Sequence, residues 1–600
     1  MKKKSAYLII CMALTASLLA GCGNGRTEST SSEKIYESPA EYTETSDGNS
    51  SKKDSKPSDK TGSKSTKADQ YTEAVAETAD ESARSAQKVE SSGTTYDFAA
   101  DLSSNSASTE VEEGWYYDYY DGYYNTEEYS GIVENGFCDA LTSPLSTFAA
   151  DVDTASYSNF RRFVNQGYGL YDFPVGALRT EEMVNYFKYD YPEPKKGETF
   201  GVNATISDCP WNEDAKLMVL GINTKKIKAE KMPDSNIVFL VDVSGSMSDW
   251  NKLPLIQESM DLLIDSFDED DRISIVTYAS GTEVVLDGVS GDEHKKISRA
   301  FNRLKAQGST NGGEGIKLAY KLAEENFIED GVNRVIICSD GDFNVGLTSR
   351  EELEELISDK KESGIFLSVL GFGMYNYSDT NMETLADKGN GNYAYIDTLQ
   401  EAEKVLVEEM TQTFMTVAKD VKFQVEFNPA MVSEYRLVGY ENRGMAAEDF
   451  KDDTKDGGEM GAGHQVSAIY EIVLSDGKTK GSDLKYSDSS ISKKGSKKDE
   501  YCTVSIAYKE PEGEKSVYTE YPIGSENYTK RPDDDFLFAA MVAETSLALR
   551  NSEYLSDVTP DEAINNIIDE LYEMEDMDEY REEFLELVEY LVDGSYYYYE

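Results

Sequence analysis

Histidine is almost missing from this chain, with only His294 and His464 among 600 residues. A Ser-His-Asp hydrolase needs one of them beside an exposed serine, and there is no Gly-x-Ser-x-Gly elbow. Cysteine is sparse too: Cys11, Cys22, Cys138, Cys209, Cys338 and Cys502 follow no metal or redox spacing. Zinc sites lack the ligand spacings they require. A Gly-x-x-x-x-Gly-Lys-[Ser/Thr] loop is also absent, which argues against nucleotide hydrolysis. Basic residues are outnumbered, 58 Lys and Arg against 114 Asp and Glu, for a formal charge of -56. Nucleic-acid binding rests on cations that neutralise phosphates, so that class is excluded as well. A Cys209–Cys502 disulfide is open to a chain outside the cell, whereas Cys338, within an apolar strand, reads as a small core residue.

Long apolar runs are confined to the N-terminus. Lys2, Lys3 and Lys4 precede an apolar segment over 6–20 that ends in Leu19-Ala20-Gly21-Cys22. A basic start and an apolar run too short to span comfortably read as a secretory signal. Its ending resembles the bacterial lipoprotein signal, which implies removal of the leader over 1–22 and lipidation at Cys22. The expected location is the extracytoplasmic face of the bacterial cell membrane, with the lipid as the anchor. Residues 23–128 are rich in Ser, Thr, Lys, Glu and Asp and cannot bury enough surface to offset ordering entropy. They read as a disordered tether with a coil dimension of roughly 50–60 Å. Tyrosine clusters close it over 115–124 and recur over 596–599.

Folded sequence is expected from residue 129. Residues 145–157 read as a strand running into a helix capped by Asp153 or Thr154, with Phe160 and Phe163 on its inner face. A second short helix follows over 179–187. Alternation over 200–207 and 216–223 predicts half-buried antiparallel strands, so 129–234 forms an N-terminal extension. From 235 to 416 strands alternate with helices, the signature of a doubly wound, mainly parallel, Rossmann-like α/β sheet. Helices are expected over 253–267, 294–305, 313–327, 349–363, 382–388 and 400–414. A β-rich domain over 417–525 follows, interrupted by a polar insert over 475–498. Residues 198–225 are its candidate pairing partners, giving one β-sandwich with the α/β unit inserted. The segment 526–600 reads as helical, with Asp533, Asp534 and Asp535 suited to a helix N-terminus and Pro560 at a first-turn position.

The α/β unit opens on an apolar run, Ile237 to Val241, that stops at Asp242, with Ser244 and Ser246 at two-residue spacing. Such a run reads as a strand buried on both faces, and ligands of open parallel sheets sit beyond the carboxyl ends of the strands. A carboxylate and two hydroxyls form an oxygen set suited to a hard cation such as Mg2+. The same residues also suit a polar loop that caps the next helix through Ser246 or Ser248. Two more oxygens follow: Thr310 on a loop before a helix, and Asp340 at the end of a second apolar strand.

Asp242-Val-Ser-Gly-Ser246, Thr310 and Asp340, in that order and context, resemble the metal-ion-dependent adhesion site of the von Willebrand factor type A domain. The resemblance covers about 235–416. It implies that Ser244, Ser246 and Thr310 give neutral oxygens to the ion, and that Asp242 and Asp340 give charge. Gly245 is expected to permit the tight turn between the serines. The implied ion is Mg2+, with Ca2+ and Mn2+ as alternatives, and its open position takes an Asp or Glu carboxylate of a partner protein. The flanks, 148–157, 179–187 and 339–346, are similar to a bacterial lipoprotein subfamily with an N-terminal extension and an uncharacterised C-terminal domain.

The expected function is therefore a cell-surface lipoprotein that binds a protein partner through a divalent cation, and not an enzyme. One alternative is a structural scaffold or assembly factor of the cell envelope. Another is a Mg-dependent phosphohydrolase, which would need a second Asp where Ser244 stands. Asp151 and Asp153 have that spacing but lie outside the α/β unit. Residues 452–457 begin like an EF-hand loop, but Gly463 stands where its closing Glu belongs.

Overall fold

The computed structural model describes residues 129–593 except 130, 151–152, 175, 229–231, 311, 342–349, 375–378, 456, 477–494, 496–498, 512 and 576. The expected leader, Cys22, the tether, both tyrosine clusters and most of the insert over 475–498 lie outside the described residues. Among those residues no helix is long and apolar enough to cross a membrane.

In chain order, β1 (Cys138–Asp139) and β2 (Leu145–Ala149) precede two helices, Ala155–Asn165 and Thr180–Asn185. The hairpin β3 (Phe200–Asp208) and β4 (Lys216–Thr224) leads into the α/β unit. That unit holds β5 (Ser235–Asp242), β6 (Arg272–Tyr278), β7 (Thr282–Ser290), β8 (Val332–Ser339), β9 (Phe366–Phe372) and β10 (Tyr393–Ile396). Beyond it come β11 (Thr416–Phe427), β12 (Val432–Val438), β13 (Met460–Gly461), β14 (Gln465–Leu474), β15 (Glu500–Lys509) and β16 (Val517–Gly524). Helices Asp534–Leu549, Pro560–Glu573 and Glu579–Asp593 close the fold.

The α/β sheet runs β10-β9-β8-β5-β6-β7, parallel throughout except for the antiparallel edge strand β7. Every residue of β5 is buried because its two faces feed two cores. Ile237, Phe239 and Val241 pack with Ile256 and Met260 of helix Leu253–Ile264. Val238 and Leu240 pack with Ile316 and Ala319 of helix Gly312–Glu325. At about 25 cal/mol per Å2 of apolar surface, a strand covered on both sides is a large share of the unit's stability.

Strands from before and after the α/β unit share one sheet, ordered β1-β12-β14-β4-β3, in which Asn223 of β4 pairs with Gln465 of β14. It faces a second sheet, β13-β11-β15-β16, with β2 also on β11. Met218, Leu220 and Ile222 enter the core between the sheets. The opposite face of β4 sends Leu217 and Val219 into a helical core with Trp211, Phe538 and Ala539. Helix Asp534–Leu549 is buried almost all round; Asp533 caps it by accepting from Phe536 N–H at 2.9 Å.

Several expectations change. Thr154 holds the N-cap position of Ala155–Asn165, yet its side chain makes no capping bond. Asp153 accepts from Tyr393 N–H at 3.1 Å and pairs with Arg443 at 3.2 Å, joining extension, α/β unit and sandwich. Cys209 and Cys502 are both free, because Cys209 sits in the helical core and Cys502 between the two sheets. The helix over 400–414 divides into Leu399–Glu403, a wide π turn over Lys404–Glu408, and Met410–Phe414. The helix expected over 294–305 ends at Phe301, freeing 302–307 to run toward the rim of β5.

Candidate metal centre

In the α/β sheet the chain leaves β5 for β6 on one side and later returns to β8 on the other. This reversal creates the crevice at which open α/β sheets bind ligands, beyond the ends of β5 and β8. Asp242 ends β5, Asp340 follows β8, and Val241 is paired with Cys338 one step below. Both carboxylates are fully buried. Ser244 N–H donates to Asp242 Oδ1 at 2.8 Å, and the Ser244 and Ser246 hydroxyls lie 2.9 Å apart. Ser339 Oγ donates to Asp242 Oδ2 at 3.5 Å.

The loop carrying Thr310 is tied to the first loop by backbone bonds. Gln307 N–H donates to Val243 O at 2.7 Å and Gly245 N–H to Gly308 O at 2.9 Å. Gly308 has φ +91°, and a Cβ there would stand 2.6 Å from Ser280 Oγ, so glycine is required twice over. Gly245 does not have a positive φ; its constraint is the approach of Gly308 O, 3.2 Å from where its Cβ would be. Thr310 lies two residues beyond Gly308, half-buried, on the adjoining loop. The structure thus brings Asp242, Ser244, Ser246 and Asp340 together and sets Thr310 beside them. Capping by Ser246 or Ser248 does not occur: those residues lie in a 3-10 turn over Gly245–Ser248, and the next helix starts at Leu253.

Sequence reasoning missed Lys252. Its buried Nζ lies 3.0 Å from Asp340 Oδ2. Lys252 is the N-cap residue of helix Leu253–Ile264, where the helix dipole disfavours a cation. A lysine in that place needs a counter-charge, which was the signal available in the sequence. Gly373, at φ +88°, makes room for its stem, because a Cβ there would meet Lys252 Cε at 2.3 Å. Burial pushes the Asp242 carboxyl up to about 6; neighbouring Asp340 adds to this and the Ser244 amide opposes it.

The donor chemistry fits a hard divalent cation: two carboxylates and neutral hydroxyls at one crevice, with no sulfur or imidazole. No cluster of three or more His, Cys, Asp or Glu side chains able to hold a metal exists among the described residues. His294 is engaged elsewhere, its Nε2 2.9 Å from Phe267 O and its Nδ1 3.4 Å from Asp265.

The matching family models define the class. Residues 236–409 match the von Willebrand factor type A domain, and 123–219 match a further von Willebrand factor model. The chain is a von Willebrand factor type A domain protein. Residues 412–592 match the model described as "Uncharacterized protein YfbK, C-terminal". Over 476 residues the chain is 42% identical to the Escherichia coli K12 protein of that name, covering 78% of this chain and 81% of that one. It belongs to the YfbK family. A Synechocystis protein, sll0103, is 32% identical over 168 residues, 28% of this chain and 39% of its own. Among solved structures, a von Willebrand factor type A protein from Catenulispora acidiphila is similar at 15% identity and TM-score 0.35, covering 60% of this chain and 81% of its own.

Proposed function

We propose that this chain is a lipoprotein anchored through Cys22 to the extracytoplasmic face of the bacterial membrane, that it binds a protein partner through a divalent cation, and that it is not an enzyme. Asp242, Ser244, Ser246, Thr310 and Asp340 would hold the ion, Mg2+ in the first instance. The observation that carries the reading is the meeting of Asp242 and Asp340, both buried, with two hydroxyls 2.9 Å apart at the crevice between β5 and β8. Two carboxylates and the Lys252 ammonium together carry one net negative charge. A divalent ion turns this into one net positive charge in a poorly solvated place, which favours an anion from outside. Bound there, the ion would supply an open coordination position for an Asp or Glu carboxylate of the partner.

Calorimetric titration of the EDTA-stripped protein with MgCl2 and MnCl2 is expected to show one site. Asp242→Ala and Ser246→Ala should each weaken it at least about tenfold, or ~1.4 kcal/mol. In pull-downs from the cell envelope, the partner should be retained with Mg2+ and lost with EDTA or in Asp242→Ala. A partner retained equally in all three conditions would make the chain a scaffold instead.

A further inference from the structure

Residues 294–313 hold five cations, Lys295, Lys296, Arg299, Arg303 and Lys305, and no acid, in a chain of net charge -56. Four of them, Lys296, Arg299, Arg303 and Lys305, line a cleft of about 510 Å3 between the end of helix His294–Phe301 and β7. Its floor is apolar, from Val285, Leu286 and Leu304, and Glu283 is the acid on its wall. Arg299, Arg303 and Lys305 form no ion pair among the described residues, and Lys296 reaches only the exposed Glu293, at 3.3 Å. Like charges gathered in a concavity repel one another, and this surface has acids to spare for pairing them.

The cleft adjoins the metal crevice. Val243 and Gln307 belong to its lining, and the Gln307 amide donates to Val243 O at 2.7 Å. Val243 stands between Asp242 and Ser244, and Gln307 three residues before Thr310.

We infer that this cleft is a second anion subsite, which takes the acidic residues flanking the carboxylate received by the ion, so that the partner segment is an acidic peptide with apolar residues interspersed. The inference rests on the metal reading above. Guanidinium forks match carboxylates in paired geometry, and the apolar floor suits side chains that a bare phosphate polymer lacks. The rest of the surface repels an acidic partner, while within a Debye length of roughly 8 Å the local cations dominate. Register is thereby set by two anchors, the ion and the cleft.

The test uses the full chain with Mg2+ and a fluorescein-labelled Asp-Leu-Asp-Glu-Leu-Glu peptide, followed by anisotropy across a salt series. The surface double variant Arg299→Gln/Arg303→Gln should weaken the peptide at least about tenfold and flatten its salt dependence. Its Mn2+ affinity should stay within about twofold of wild type. Peptide bound as tightly by the double variant, yet lost in Ser246→Ala, overturns the cleft and leaves the metal reading standing. Peptide lost in the double variant but retained in Ser246→Ala supports the cleft and removes the metal reading. An inorganic polyphosphate of equal charge that displaces the peptide at lower concentration overturns the peptide assignment.

Discussion

Lys252 shows how one residue can set the electrical state of a whole site. Its ammonium, 3.0 Å from Asp340, is the fixed positive charge in a crevice with two buried carboxylates. Removing one partner of such a pair strands charge in a poorly solvated place, at a cost of about 3 kcal/mol. Lys252→Met keeps the stem that packs on Gly373 and deletes the charge. Thermal melts in EDTA should show a clear loss of stability against wild type. With Mg2+ present the gap should narrow, because the ion would then face a more negative cradle. Equal melting in EDTA would mean that the ammonium is not the counter-ion it looks to be. Residue patterns made Asp242, Ser244, Ser246, Thr310 and Asp340 legible as candidates, since they fall at the end of an apolar strand, just beyond one, or on a loop before a helix. Gly308 was not legible, because what it answers to lies across the crevice and not along the chain; Lys252 was legible only as a cation at a helix start, its partner Asp340 lying across the crevice.

Among the elements, helix Asp534–Leu549 poses a different problem. Its apolar run was readable as a helix, but nothing local reveals the surroundings of Glu544. That residue is buried, and burial, with nearby Glu570 adding, pushes its carboxyl up to about 8. In the unfolded chain the same group titrates near the ordinary value of about 4.3. Between those values the folded state holds a proton that the unfolded state has released, so stability falls as pH rises through that window. Above about 8 there is no further loss from this group. Glu544→Gln should therefore flatten the pH profile of the melting temperature, raising it at pH 8 and leaving it near wild type at pH 4.5. Element limits were legible where a buried run met a polar residue, as at Asp242. They were less so at Phe301 and Lys404, where the helix ends or widens to serve a neighbour in space. Whether Cys209 and Cys502 pair stayed open in the sequence for the same reason: composition does not reveal which of two adjoining cores a cysteine enters.

At the scale of the whole molecule, buried ion pairs join the α/β unit to its flanks. Arg161 of the extension reaches Asp397 at 2.5 Å, Glu401 at 2.7 Å and Glu583 of the last helix at 2.9 Å. Thr224 Oγ1 donates to Gly461 O across 237 residues of chain. The sandwich strands are thus supplied from both sides of the α/β unit, and their register cannot be completed until that unit has been synthesised. An unfolded segment of this length makes ring closure entropically slow, whereas a folded one brings its two ends to a fixed separation. We predict that folding of the α/β unit precedes completion of the sandwich and sets its rate. Gly391→Ala tests this, since a Cβ at that position would fall 1.6 Å from Leu367 O, within the α/β unit. In pulse-labelled refolding the amides of β14, which residue 391 does not line, should then be protected later than in wild type. A lesion confined to the α/β unit would then be felt as late docking in the sandwich, because the order of assembly would carry the damage in addition to the ion pairs of Arg443 with Glu383 and Asp387.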